Sequence, residues 1–223
     1  MCDRSTGQVR EVIVFVAFWY TVSVLQEAFH YTVERRTAMK VVAIVGSPRP
    51  KGNTSLLVDE VLKGAAEYGV ETEKIVLGEY KVGPCLGHDN CSSFAKCKQD
   101  DDVPWILEKY CQADGVILGS PVYYYNMTAQ MKAFVDRNYF LYRHNITPKA
   151  TCAGLVVLGG GAGLDHTVRA LRRFLKLSFD VPDERLVTLT GYASKVGDVK
   201  DKQLLLAEAQ KMGKRLAELL TQK

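Results

Sequence analysis

KVVAIVGSPRPKGNTS, residues 40–55, is the stretch whose reading decides the fold. It begins as an apolar, β-branched run (Val41, Val42, Ile44, Val45), the composition of a strand buried on both faces. The run breaks at Gly46-Ser47-Pro48, passes through a turn rich in Pro and Gly, and restarts at Asn53-Thr54 as a helix. A strand, a tight polar turn and a helix N-terminus together suit an anion. The first helical amides lack internal partners, and the helix dipole adds positive potential there. Ser47, Asn53, Thr54 and Ser55 add side-chain donors and Arg49 a charged fork of N–H groups, so a phosphorylated ligand is expected on this turn.

Downstream the chain alternates helix and strand. A helix is expected over 53–68, with Leu57, Val61 and Ala65 on one stripe and Gly69 at its end. A second strand, nearer a sheet edge, covers 71–77. The third, 115–119, runs into Ser120-Pro121-Val122-Tyr123-Tyr124-Tyr125-Asn126, with Asn126 read as the N-cap of a helix over 127–142. The fourth, 152–158, ends in a glycine-rich turn at 159–163, followed by a helix carrying Arg169, Arg172 and Arg173. A fifth strand at 185–189 and a helix over 200–220 complete the pattern. Asp100-Asp101-Asp102 before Val103-Pro104 fits the capping of a helix better than metal binding. The fold class is α/β, with helices on both faces of a five-stranded parallel sheet.

The totals narrow the function. A chain of 223 residues that is 47% hydrophobic makes one globular domain the default, placed here at 39–223. A net charge of +4, with Lys and Arg spread along the chain, argues against a nucleic-acid surface. Residues 1–38 differ from the rest and read as an upstream extension, either from a start codon assigned too early or as a genuine arm. Their apolar run, Val12 to Leu25, is short of the roughly 18–20 residues that span a bilayer, so no membrane partner is expected. The six cysteines do not resemble a secreted disulfide scaffold, and a cytoplasmic location is expected. Cys111 and Cys152 read as buried small hydrophobes.

In an open parallel sheet, ligands bind beyond the carboxyl ends of the strands. Three unusual turns leave strands at that edge: 46–55, 120–126 and 159–163. The P-loop is excluded because Gly46 and Gly52 are one residue too far apart and Asn53 stands where lysine should. The G-x-G-x-x-G dinucleotide pattern is absent from both glycine-bearing turns. A monophosphate remains. Tyr123, Tyr124 and Tyr125 offer rings and the turn offers amides to a flat heteroaromatic system, although one of these tyrosines is expected to serve sheet-edge packing. A monophosphate with a flat ring system means flavin mononucleotide.

GSPRPKGNTS (46–55) followed by GSPVYYYNMTAQMKAFVDR (119–137) resembles the NAD(P)H-dependent FMN reductase family of flavodoxin-like fold, with the nearest likeness to the iron–sulfur flavoproteins. The resemblance implies a three-layer sandwich of strand order 2-1-3-4-5, non-covalent FMN and a homodimer or homotetramer. It implies phosphate contacts from Ser47, Arg49, Asn53, Thr54 and Ser55. It also implies that Pro121, Val122, Tyr123, Tyr124 and Asn126 border the flavin ring, with Gly160 and Gly161 on its far side. The activity it implies is electron transfer from NAD(P)H through FMN to a small-molecule or protein acceptor. Two alternatives stay open: an electron carrier reduced by ferredoxin, and a non-redox flavin-binding protein. No residue is singled out as catalytic.

Iron–sulfur flavoproteins carry C-x2-C-x2-C-x5-C after the second strand, ligating a [4Fe–4S] cluster. Here the same spacing reads Cys85, His88, Cys91 and Cys97, with histidine at the second position. Three readings stay open: no metal, a cluster ligated by three thiolates and an imidazole, and a zinc site.

Overall fold

A computed structural model describes residues 39–222; the N-terminal extension lies outside the described residues. The strands are β1 (Lys40–Val45), β2 (Glu71–Val76), β3 (Gly115–Tyr123), β4 (Asn126–Met127), β5 (Cys152–Gly159) and β6 (Leu186–Tyr192). The helices are α1 (Asn53–Ala66), α2 (Val103–Gln112), α3 (Ala129–Arg137), α4 (Tyr139–Arg143), α5 (Leu164–Phe179) and α6 (Gln203–Thr221). Strands β2-β1-β3-β5-β6 pair in parallel, and β4 folds back antiparallel on β3. Counting only the parallel strands, this is the expected order 2-1-3-4-5.

Every residue of Val41–Val45 is fully buried, as a strand covered on both faces must be. Its side chains alternate between two cores. Val42 and Ile44 pack with α2, α3 and α5 residues such as Ile106, Phe134 and Leu171. Val41, Ala43 and Val45 pack with α1 and α6 residues such as Leu57, Val61 and Met212. On that second face α1 and α6 cross closely: a Cβ on Gly64 would lie 2.1 Å from Gln210 O, and one on Gly213 1.9 Å from Val61 O. No helix among the described residues is long and apolar enough to cross a membrane.

Two expectations are corrected. The third strand continues through Pro121 to Tyr123, then turns back as β4. The helix expected over 127–142 is two helices, and its N-cap is Thr128, whose hydroxyl accepts from Met131 N–H at 3.2 Å. Asn126 is instead part of the hairpin, its Oδ1 accepting from Met127 N–H at 2.8 Å. Thr128 won because the hairpin uses up two residues before the helix can start.

Gly213→Ala tests the helix crossing. The added methyl overpacks the contact and should cost about 1–3 kcal/mol in urea unfolding, by a lower midpoint at unchanged slope.

Candidate functional site

The turn after β1 is built by its own side chains. Ser47 is almost fully buried; its hydroxyl accepts from Arg49 N–H at 3.1 Å and reaches Arg49 O at 3.2 Å. Gly52 N–H closes the turn onto Arg49 O at 2.9 Å. The first intrahelical bond of α1 runs from Leu56 N–H to Gly52 O, so the amides of Asn53, Thr54 and Ser55 precede the helical ladder. The first turn holds no acidic residue, which leaves the positive end of the dipole uncancelled.

This turn is tied to the rest of the sheet edge by a buried polar knot. Gly46 N–H donates to Gly119 O at 2.7 Å, and the fully buried Thr128 donates its hydroxyl to Gly46 O at 2.6 Å. Thr128 N–H donates to Ser120 Oγ at 3.2 Å, and Ser120 Oγ donates to Pro121 O at 2.9 Å. A Cβ on Gly46 would lie 2.6 Å from Met131 Cβ, so only glycine allows this approach.

A cavity of about 330 Å³ opens above the knot. Ser47, Arg49, Asn53 and Thr54 line it from the first turn, Pro121, Val122 and Tyr123 from the end of β3, and Gly160 from the turn after β5. Four residues named from the sequence lie off its wall. Ser55 is fully buried and its hydroxyl accepts from Lys74 Nζ at 3.0 Å. Tyr124 is 96% exposed, Asn126 is exposed in the hairpin, and Gly161 is exposed with no atom within 4 Å of a built Cβ. Five lining residues were not foreseen: Gly52 in the first turn, Leu158 near the end of β5, and Ala193, Ser194 and Val196 from the loop after β6, a segment the sequence did not point to at all.

Tyr124 and Tyr125 form the tip of the β3–β4 hairpin, with φ of +46° and +69°. Positive φ at both central positions is the habit of a type I′ turn, usually met by Asn-Gly. Two tyrosines there hold backbone strain of roughly 1–2 kcal/mol each. Neither ring is buried; they meet edge to face at 5.6 Å. Beneath them Gly163, at φ +99°, lets the turn after β5 approach: a Cβ there would lie 2.7 Å from Tyr125 Cα.

The cysteine loop hangs from α3. Arg137 and Asp101 have side chains only 1% and 4% exposed and form a two-pronged ion pair, with Nη2–Oδ1 at 3.0 Å and Nη1 on Oδ2. Arg137 also donates to Gly83 O at 3.1 Å and to Cys97 Sγ at 3.2 Å. Burial pushes the Asp101 carboxyl up, but hydrogen bonds from Arg137 and the amides of Gly83 and Val103 outweigh it and hold the group below its usual range. Asp101 accepts from Val103 N–H at 3.3 Å, but the N-cap residue Asp102 makes no cap bond and accepts from Lys81 N–H instead, so the acid run serves capping only in part and Asp101 chiefly anchors Arg137. His144 adds a second tie, its ring nitrogens each 2.8 Å from a carbonyl oxygen, of Phe140 and of Phe94.

Within this loop, burial and the neighbouring Cys97 and Cys85 push the Cys91 thiol up. His88 sits edge-on to Phe94 at 6.3 Å. Among the described residues no three His, Cys, Asp or Glu side chains gather as a metal-holding group. Cys85, His88, Cys91 and Cys97 share this one loop, with an imidazole where a four-thiolate cluster takes its second thiolate. Burial raises the thiols of Cys111 and Cys152 to about 11, in keeping with small apolar residues.

Three outcomes are expected. Asp101→Asn leaves Arg137 buried and unpaired and should cost roughly 3–5 kcal/mol in urea unfolding at neutral pH. Because folding depresses the Asp101 pKa, that difference should begin to shrink as pH falls below about 4, where the unfolded chain takes up the proton first, and should be lost only as pH falls through the lower folded-state pKa. Replacing the hairpin tip by Tyr124→Asn with Tyr125→Gly should raise the urea midpoint of the flavin-free protein, by up to about 2 kcal/mol, by relieving the strain. His88→Cys completes the four-cysteine spacing and should raise iron and acid-labile sulfide per chain, under anaerobic purification, above the sub-stoichiometric level expected of the wild type.

Comparison with known proteins agrees with this geometry. The family model described as NADPH-dependent FMN reductase matches residues 39–189. An iron–sulfur flavoprotein of Methanocaldococcus jannaschii is 39% identical over 189 residues, covering 82% of this chain and 97% of that protein. Among solved structures, the NAD(P)H:quinone oxidoreductase of Methanothermobacter marburgensis superposes with a TM-score of 0.64 at 16% identity, covering 81% and 98% of the two chains. An archaeal flavodoxin gives 0.50 at 17% identity, covering 82% and 100%. These two likenesses show a flavodoxin-like fold. With a turn, a knot and a cavity of this form, the chain belongs to the NADPH-dependent FMN reductase family.

Proposed function

We propose that the protein is an oxidoreductase that binds FMN in the cavity above the sheet edge and passes electrons from NAD(P)H to a small-molecule or protein acceptor. One observation carries the reading: an anion cradle (Ser47, Arg49, Thr54) and a strand end with ring-bordering backbone (Pro121–Tyr123) open into the same cavity. The residues fit the cofactor. The amides at the start of α1 and the Arg49 guanidinium would hold the phosphate, and Pro121, Val122 and Tyr123 would border the ring. Bound FMN supplies the two-electron chemistry, accepting a hydride at N5.

What the chain supplies is position. The Thr128–Gly46 knot holds the cradle and the ring border at a fixed separation. Gly160 lines the cavity from the turn after β5, where a side chain would meet the Ser194 hydroxyl. The lining carries no carboxylate, imidazole or amine among the described residues, so orientation is the contribution the geometry supports. A homodimer or homotetramer belongs to the same proposal and is read by light scattering.

A second reading, an electron carrier reduced by ferredoxin, draws on the likeness to the iron–sulfur flavoprotein. Anaerobic stopped-flow mixing separates the two. Bleaching of bound FMN by NADH or NADPH is expected, and no bleaching with either overturns the reductase reading. Arg49→Ala should weaken FMN binding about tenfold and leave riboflavin binding unchanged, read by quenching of flavin fluorescence, since only FMN offers the phosphate.

A further inference from the structure

The resemblance assigns Asn53 to the phosphate, but its side chain is already engaged. Nδ2 donates to Lys195 O at 2.7 Å, and Oδ1 accepts from Gly197 N–H at 2.9 Å and from Val199 N–H at 3.5 Å. Three of the four hydrogen-bonding positions of the amide are thus spent on a loop that follows β6. That loop is closed on itself by Asp198, whose carboxylate accepts from Ser194 N–H at 2.8 Å and Lys195 N–H at 2.7 Å. Gly197, at φ +91°, provides the turn that presents its amide to Asn53. Val199, fully buried against the α1–α6 core, fixes the far end. What the clasp holds in place is the wall formed by Ala193, Ser194 and Val196.

We infer that Asn53 is a positioning residue: it clasps the 193–199 loop to the start of α1, so that the flavin enters a cavity whose last wall is already in place. The inference rests on reading the cavity as the flavin site. An unclasped loop would have to be ordered at the moment of binding, and its conformational entropy would then be charged against affinity. The penalty is independent of the phosphate. This separates the clasp from a phosphate contact, which a flavin lacking the phosphate does not feel.

The test measures FMN and riboflavin affinity by fluorescence quenching, and amide hydrogen exchange of flavin-free protein over residues 193–199. The wild type is compared with Asn53→Ala, and with Asp198→Ala, which opens the loop without touching the cradle. Asn53→Ala should weaken both flavins by the same factor, about tenfold for the two strong hydrogen bonds lost, and should speed exchange in the loop. Asp198→Ala should behave likewise. Loss of FMN affinity alone, with riboflavin affinity and loop exchange unchanged, would make Asn53 a phosphate ligand and overturn the inference. If the wild type bound neither flavin, the flavin reading would fall, while exchange in the flavin-free protein would still decide whether Asn53 holds the loop.

Discussion

The hydrogen bond from Thr128 to the Gly46 carbonyl is the contact on which the site depends. It joins the last turn of β1 to the first turn of α3, across 82 residues of sequence, in a place with no access to water. A buried hydroxyl and a buried carbonyl each cost free energy when unpaired, so the pair fixes the distance between the two segments tightly. Ser120 extends the same knot to the end of β3 through Thr128 N–H. The turn after β1 and the end of β3 are therefore not two loops that happen to be neighbours. They are opposite sides of one hydrogen-bonded junction, and Gly46 is small because the junction leaves no room for a methyl group.

Much of this was legible from residue order. A buried parallel strand announces itself by an unbroken apolar run, and β1 and β5 do so. The turns that leave such strands stand out because glycine, proline and hydroxyl residues are rare in the runs themselves. The β3–β4 hairpin escaped notice because its tip is Tyr-Tyr, where the expected signal is Asn-Gly; with the hairpin unseen, Asn126 looked like the helix cap that Thr128 is. The loop after β6 escaped for a different reason. Nothing in Ala193–Val199 is unusual locally, and its place on the cavity comes from a partner 142 to 146 residues away. Ser55 illustrates the converse: it sits in the motif, but a helical turn faces it toward Lys74 and away from the cavity.

The acidic run before α2 shows how one residue type can serve two purposes. Asp101 accepts from Val103 N–H at the helix start and simultaneously neutralises Arg137. Only the first use is local. The second explains why a guanidinium can be enclosed in a chain of this size: Nη1 and Nη2 together make four hydrogen bonds, to a carboxylate, a carbonyl and a sulfur. With His144 bridging to Phe94, the long loop after β2 is held at two separated points, which gives the 26 residues between β2 and α2 (77–102) a defined course.

Those two anchoring systems lie at opposite ends of α3. Thr128 caps its start inside the junction below the cavity, and Arg137 closes its end against Asp101 and Cys97. The helix between them is about 13 Å long, and both termini are clamped by side chains shielded from solvent. It is a strut with no free end. Any event that displaces Cys97, whether oxidation, alkylation or ligation, takes a hydrogen-bond partner from Arg137 at one end of a helix whose other end is tied to the turn after β1.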